Sequence, residues 1–189
     1  MLFYSLLLFA VSCAALAIDS HALKTRQAAV VQDTFNVYAY GDGIGGMSLF
    51  YADAKAHIGD VALSTAKTAQ PVYFTVSETS QNSWIAHPNN TGTDSSEAAF
   101  QTTVLSLPDA DSEDGAVMFK ESTTEQLKSQ EASVFECYGD YVMTKNQNAN
   151  FYAVPTDADG VYSLVWSDVA SGKIPVVLRT MAPVTEALS

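Results

Sequence analysis

Apolar and polar residues alternate with a period of two along much of this chain. In Val72-Tyr73-Phe74-Thr75-Val76-Ser77, the residues Val72, Phe74 and Val76 fall on one side and Tyr73, Thr75 and Ser77 on the other. Successive strand side chains point to opposite faces, so this spacing predicts a half-buried strand. Ile174, Val176 and Leu178 repeat the pattern, with Pro175 between them. Proline cannot donate to a ladder, which places that strand at an edge or starts it there. The same reading predicts strands over Thr34–Tyr40, Met47–Tyr51, Ala56–Ile58, Trp84–His87, Thr102–Leu107, Ala116–Phe119, Tyr141–Thr144, Asn150–Val154 and Val161–Trp166. Gly, Pro, Asn and Asp fill the breaks between them. Ala52-Asp53-Ala54-Lys55 and Asp157-Ala158-Asp159-Gly160 read as hairpin turns.

Helix signals are sparse. Asp94 with Glu97 could cap a short helix through Phe100, and Thr123 to Glu131 could form one or two turns. Neither carries a sustained apolar stripe. The expected fold is all-β: a single-domain antiparallel β-sandwich or jelly roll with at most short helices, and a barrel as the second arrangement.

The N-terminus follows a different pattern. Leu2 to Phe9 is mostly apolar and is continued by Ala10 and Val11, and Ala15-Leu16-Ala17 has the small-x-small form of a signal-peptidase site. The run lacks a preceding Lys or Arg and is shorter than the roughly 20 residues a bilayer span needs. Residues 1–17 are therefore expected to be a signal peptide. Residues 18–32 form a tail or short pro-segment, with cleavage after Arg26 of Lys24-Thr25-Arg26 as one outcome. The β domain takes 33–183 and a tail 184–189. No later segment has membrane-span character, and Met181 to Ser189 lacks the apolar tail of a lipid-anchor signal. A secreted, extracellular product is expected.

Charge narrows the partners. The chain holds 21 acidic and 9 basic residues, a formal net charge of −12. Such a surface repels phosphate backbones, so nucleic acid is not an expected partner. Cys13 lies in the leader, which leaves Cys137 alone and no intramolecular disulfide. A single thiol in a secreted protein is either buried or free to react or pair with another chain, and burial is the commoner state. Asn89-Asn90-Thr91 is an N-glycosylation sequon beside Pro88.

Candidate chemistry is thin. Gly41-Asp42-Gly43-Ile44-Gly45-Gly46 spells G-x-G-x-x-G, but strand-like Met47 to Tyr51 follows where a dinucleotide loop needs a helix. It reads as a glycine-rich connection between strands, and no cofactor is expected. Asp109, Asp111 and Glu113 resemble the start of a calcium loop, but Asp114 stands where Gly belongs and Lys120 where the bidentate Glu belongs. A solvated acidic loop is the simpler reading. The histidines His21, His57 and His87 have no metal-ligand spacing, and His57 is expected to point outward. There is no G-x-S-x-G elbow, and Phe135-Glu136-Cys137-Tyr138-Gly139 lacks the signatures of cysteine proteases. A glycosidase needs two facing carboxylates. Glu136 and Asp140, near each other across Tyr138-Gly139, and Glu78 are the candidates for such a pair. Trp84, Tyr138 and Trp166 are the aromatic candidates for ligand contact, although Trp166 reads equally well as core.

Three stretches together resemble a group of small secreted proteins of filamentous ascomycete fungi. They are Phe35-Asn36-Val37-Tyr38-Ala39-Tyr40-Gly41 through Leu49-Phe50-Tyr51-Ala52-Asp53, then Phe151-Tyr152-Ala153-Val154-Pro155 through Gly160-Val161-Tyr162-Ser163-Leu164-Val165-Trp166, and Ile174-Pro175-Val176-Val177-Leu178-Arg179. Residues 80 to 130 carry less of the likeness. The resemblance implies a fungal, extracellular protein and brings no catalytic residue with it. The expected function is non-catalytic binding of a glycan or an extracellular protein at the cell wall or a host interface, with host protease inhibition as one form. The alternative is a small glycoside hydrolase.

Overall fold

The computed structural model describes residues 34–80, 82–90, 100–109, 111–145 and 149–184. The leader, the tail with His21, the segment from Asp94 to Glu97 and Thr91 of the sequon lie outside these residues. The elements in chain order are β1 (Tyr38–Gly41), β2 (Ile44–Ala52), β3 (Lys55–Gly59), a 3-10 turn (Val61–Leu63), β4 (Ala69–Val76), β5 (Trp84–Pro88), β6 (Thr103–Ser106), β7 (Met118–Glu121), the single turn α1 (Thr124–Leu127), β8 (Phe135–Tyr138), β9 (Tyr141–Thr144), β10 (Asn150–Pro155), β11 (Val161–Ser167) and β12 (Ile174–Arg179). Among the described residues no helix is long and apolar enough to cross a membrane.

The all-β expectation holds, but the architecture is a closed barrel and not a sandwich or jelly roll. Ten antiparallel strands run β1-β2-β4-β5-β6-β7-β3-β11-β10-β12, and β12 pairs back onto β1. The closing ladder aligns Tyr38 with Arg179 and Gly41 with Val176. A sandwich would leave edge strands on two separate sheets, whereas closure removes them. The β2–β3 ladder, Leu49↔Ile58 to Ala52↔Lys55, crosses the ring and divides it into two loops. The β8–β9 hairpin is appended to β12 through Arg179↔Tyr141, so among the described residues β8 ends the sheet with one edge unpaired by any strand.

The period of two fills this ring. Val72 and Phe74 point inward on β4, and Val176 and Leu178 on β12, into one main core. Aromatic rings dominate its centre: Trp84 meets Phe35 edge-on at 4.9 Å and stacks on Phe135 at 5.1 Å. Offset and edge-on aromatic pairs of this kind add to the area they bury.

Local chemistry explains the turns. Asp53 and Ala54 have φ of 46° and 66°, the left-handed pair of a two-residue hairpin. The Asp53 carboxylate offsets the cost by accepting from the backbone N–H of Thr68 at 2.9 Å and of Lys67 at 3.1 Å. The glycine-rich connection is shorter than its spelling, because Ile44, Gly45 and Gly46 already belong to β2. Gly46 is the extra residue of a bulge between the pairs Ala39↔Met47 and Tyr40↔Gly45, at φ 85°. A Cβ there would come within 2.8 Å of Pro183. Thr123 caps α1 by accepting from the Gln126 N–H at 3.1 Å.

Candidate functional site: a tyrosine platform on the outer barrel face

Side chains that alternate away from the core on β1, β12, β9 and β8 meet on one outer face. Direct cross-strand pairing sets Tyr38 opposite Arg179, Arg179 opposite Tyr141, and Tyr141 opposite Tyr138. The row crosses four strands, about 14 Å at the usual strand spacing. Beside it lies a second set, with Tyr40 opposite Val177 on one side and Met143 opposite Glu136 on the other. The apolar members are bare: Tyr138 is 74% exposed, Met143 50% and Val177 49%. Met181 continues the patch past the end of β12 and is also exposed.

Arg179 organises the centre. Its Nε donates to Asp140 Oδ2 at 2.6 Å, and Nη2 donates to the same oxygen. Its guanidinium lies 5.3 Å from the Tyr40 ring and 4.9 Å from the Tyr141 ring. Cation–π contact and the carboxylate together hold the guanidinium plane and its ring neighbours in place. The hydrogen bond to Asp140 pushes the Arg179 pKa up further from its ordinary value. The Tyr40 hydroxyl donates to the Met181 carbonyl at 2.9 Å and pins the chain beyond β12.

Most of the sequence-predicted site residues lie elsewhere or have partners. Asp140 sits in the β8–β9 turn in the grip of Arg179. Glu136 lies on β8, accepts from Asn82 Nδ2 at 3.3 Å and sits 3.8 Å from Lys145 Nζ. Each carboxylate thus has its own donor. Glu78 is exposed just past β4. Trp84 is no ligand contact: at 2% exposure it is core, because its alternation points it inward from β5. Trp166 is half-buried and packs edge-on against Phe151 at 4.7 Å. Of the aromatic candidates, Tyr138 alone is open to solvent.

The described carboxylates of the acidic loop are dispersed. Asp109 pairs with Lys120 at 2.6 Å, Asp114 with Lys55 at 2.5 Å, and Asp111 and Glu113 are exposed. The hydrogen bond from Lys55, with help from the Ala116 N–H, holds the Asp114 carboxyl below its usual range. Among the described residues no group of three or more His, Cys, Asp or Glu side chains could hold a metal ion. This loop lines a recess of about 570 Å³ in which Asp109 and Asp114 face Trp166 and Lys173.

His57 points outward as expected, but it is covered. It meets Phe50 edge-on at 5.7 Å, and its Nδ1 is buried with no hydrogen-bond partner. Burial, and secondarily Lys55, push its pKa down against an opposing effect from Asp53. His87 stacks on Tyr73 at 4.9 Å and lies 2.9 Å from Thr75 Oγ1. Cys137 is half-buried against the core on β8, and burial raises its thiol pKa, which makes it a poor nucleophile.

The platform residues Tyr38, Tyr40, Tyr141, Met143, Val177 and Arg179 were not singled out from the sequence. The β8–β9 hairpin had a signal: two alternating runs around Gly139-Asp140, a turn-forming pair. A search of the chain against protein-family models, curated proteins and solved structures finds no match.

Proposed function

We propose that the chain is a secreted, non-catalytic binding protein whose tyrosine platform engages an extracellular protein. One observation carries this reading: Tyr138, Met143 and Val177 are exposed together around an immobilised Arg179 on a single face. Tyr, Met and Arg are the side chains enriched where proteins meet, and rigid aromatic and arginine anchors carry most of the binding energy there. The −12 charge of the chain favours a basic partner by long-range attraction.

A glycan is the second reading. The Tyr138 ring is open on a sheet face beside Arg179 and Asp140, a hydrogen-bonding pair within reach of a sugar hydroxyl. The hydrolase reading has less support, since Asp140 is held by Arg179 and Glu136 by Asn82 and Lys145.

A photo-crosslinking residue at position 138 tests the proposal against the same residue at position 63, where exposed Leu63 lies outside the platform. Crosslinking to an extracellular protein from 138 but not from 63 supports the proposal. Retention on an insoluble wall polysaccharide that Tyr138→Ser abolishes selects the glycan reading. Sugar release that disappears in Glu136→Gln or Asp140→Asn overturns both.

A further inference from the structure

The barrel wall has an opening beside the platform. On one side β12 runs continuously along β1, from Val176 to Arg179. On its other side it pairs with β10 at Ile174 and Pro175, and with β9 at Arg179. Among the described residues Val176 to Leu178 has no strand partner there. The gap is a slot of about 220 Å³ between β9 and β10, with Val176 and Leu178 along its floor. Val142 and Phe151, both buried, line it together with half-buried Trp166 and half-exposed Met143.

The geometry points to this slot as a binding site for a small neutral molecule: an aromatic or alicyclic ring carrying one carbonyl or hydroxyl oxygen. Volume sets the size, because an apolar protein cavity of about 150 Å³ holds benzene, and this slot is larger by a few heavy atoms. The walls set the polarity. Among the described residues, eight of the ten that line the slot are apolar, and Thr144 and Asn150 are uncharged. Main-chain alternation sets the polar contacts. The Thr180 N–H donates towards β9, to the Asp140 carbonyl at 2.8 Å, so the main-chain groups of Leu178 and Val176 face the same way. Among the described residues this leaves, between the two ladders, the Leu178 N–H to donate to a ligand oxygen and the Val176 carbonyl to accept from a ligand hydroxyl. A carboxylate would lose its hydration with no cation among the described residues that line the slot, so charged analogues are disfavoured. The inference is independent of the platform's partner.

The test is a titration of the full chain with acetophenone, benzyl alcohol and benzoate, followed by amide NMR shifts and by tryptophan fluorescence. Trp166 lines the slot and Trp84 is buried elsewhere. Saturable shifts centred on Leu178, Val176 and the Trp166 indole are expected with the two neutral compounds, and none with benzoate. Ala149→Phe fills the slot from its half-buried rim and should weaken binding at least tenfold. If that variant does not fold, the shift map of the unaltered chain decides alone. Shifts that grow linearly, or that centre on Tyr138 and Tyr141, overturn the site, as does equal binding of benzoate.

Discussion

Two outer faces of the same barrel carry apolar side chains, and they are treated in opposite ways. On the β2–β3 face, Phe50, Ala52 and Val161 point away from the main core, yet they are buried under Val61, Ala66 and Ala69. The chain covers them itself. Asp60 turns the cover by accepting from the Ala62 N–H at 2.9 Å, and Asp53 fastens its far end through Lys67 and Thr68. On the β8–β9–β12 face, Tyr138, Met143 and Val177 point outward in the same way, and no described segment lies over them. Among the described residues one apolar face has a strapped cover and the other has none, and that contrast is what the proposed binding role of the second face rests on.

The largest expected effect divides the two faces by stability. Phe50→Ala should cost about 3–5 kcal/mol, because it removes a fully buried ring and leaves a cavity under the cover. Tyr138→Ser should change stability by less than about 0.5 kcal/mol, since its ring is already in water. Denaturant unfolding of both variants measures the contrast. Equal losses would mean that the β8–β9 hairpin depends on its outer face and that the comparison is mistaken.

A smaller effect tests what fastens the cover. Asp53→Ala leaves the N–H groups of Lys67 and Thr68 without their acceptor and removes the side chain from a left-handed turn position. The expected loss is about 1–3 kcal/mol, with faster hydrogen exchange confined to residues 60–68. Exchange that quickens evenly over β2, β3 and β4 would show that Asp53 supports the hairpin and not the cover.

Local patterning made the covered face easier to read than the bare one. The alternation of Val72 to Ser77, the turn at Asp53-Ala54 and the outward His57 are all local, because each depends on neighbours within a few residues. Closure is different. Whether strands of this period form a sandwich or a barrel depends on Tyr38 finding Arg179, 141 positions away, and no local period encodes that pairing. The platform was illegible for the same reason. Tyr38, Tyr138, Tyr141 and Arg179 come from three distant stretches, and only the register of four strands puts them in one row. A tyrosine on an alternating strand reads equally as core or surface until the inward face is known. Trp84 turns inward and is core, whereas Tyr138 turns outward into solvent.

The smallest expected effect is a pH dependence specific to the covered face. His57 has its pKa pushed down from 6.5, first by burial and then by Lys55. The unfolded chain therefore binds the proton more readily than the folded one. The stability that rests on neutral His57 is fully present above about pH 6.5 and is lost as pH falls from there towards the depressed folded value. Asp114, held low by Lys55, acts in a separate window, because its contribution is lost only as pH drops below the ordinary 3.8. His87 shifts in the same direction as His57 by burial alone, so the unaltered chain should show both effects together. His57→Gln removes one of them. Between pH 7 and pH 5 this variant should lose less stability than the unaltered chain, while Tyr138→Ser on the bare face should track the unaltered chain throughout. Parallel curves for His57→Gln and the unaltered chain would mean that imidazolium is accommodated under the cover, and that the β2–β3 face is less tightly sealed than its buried Phe50 implies.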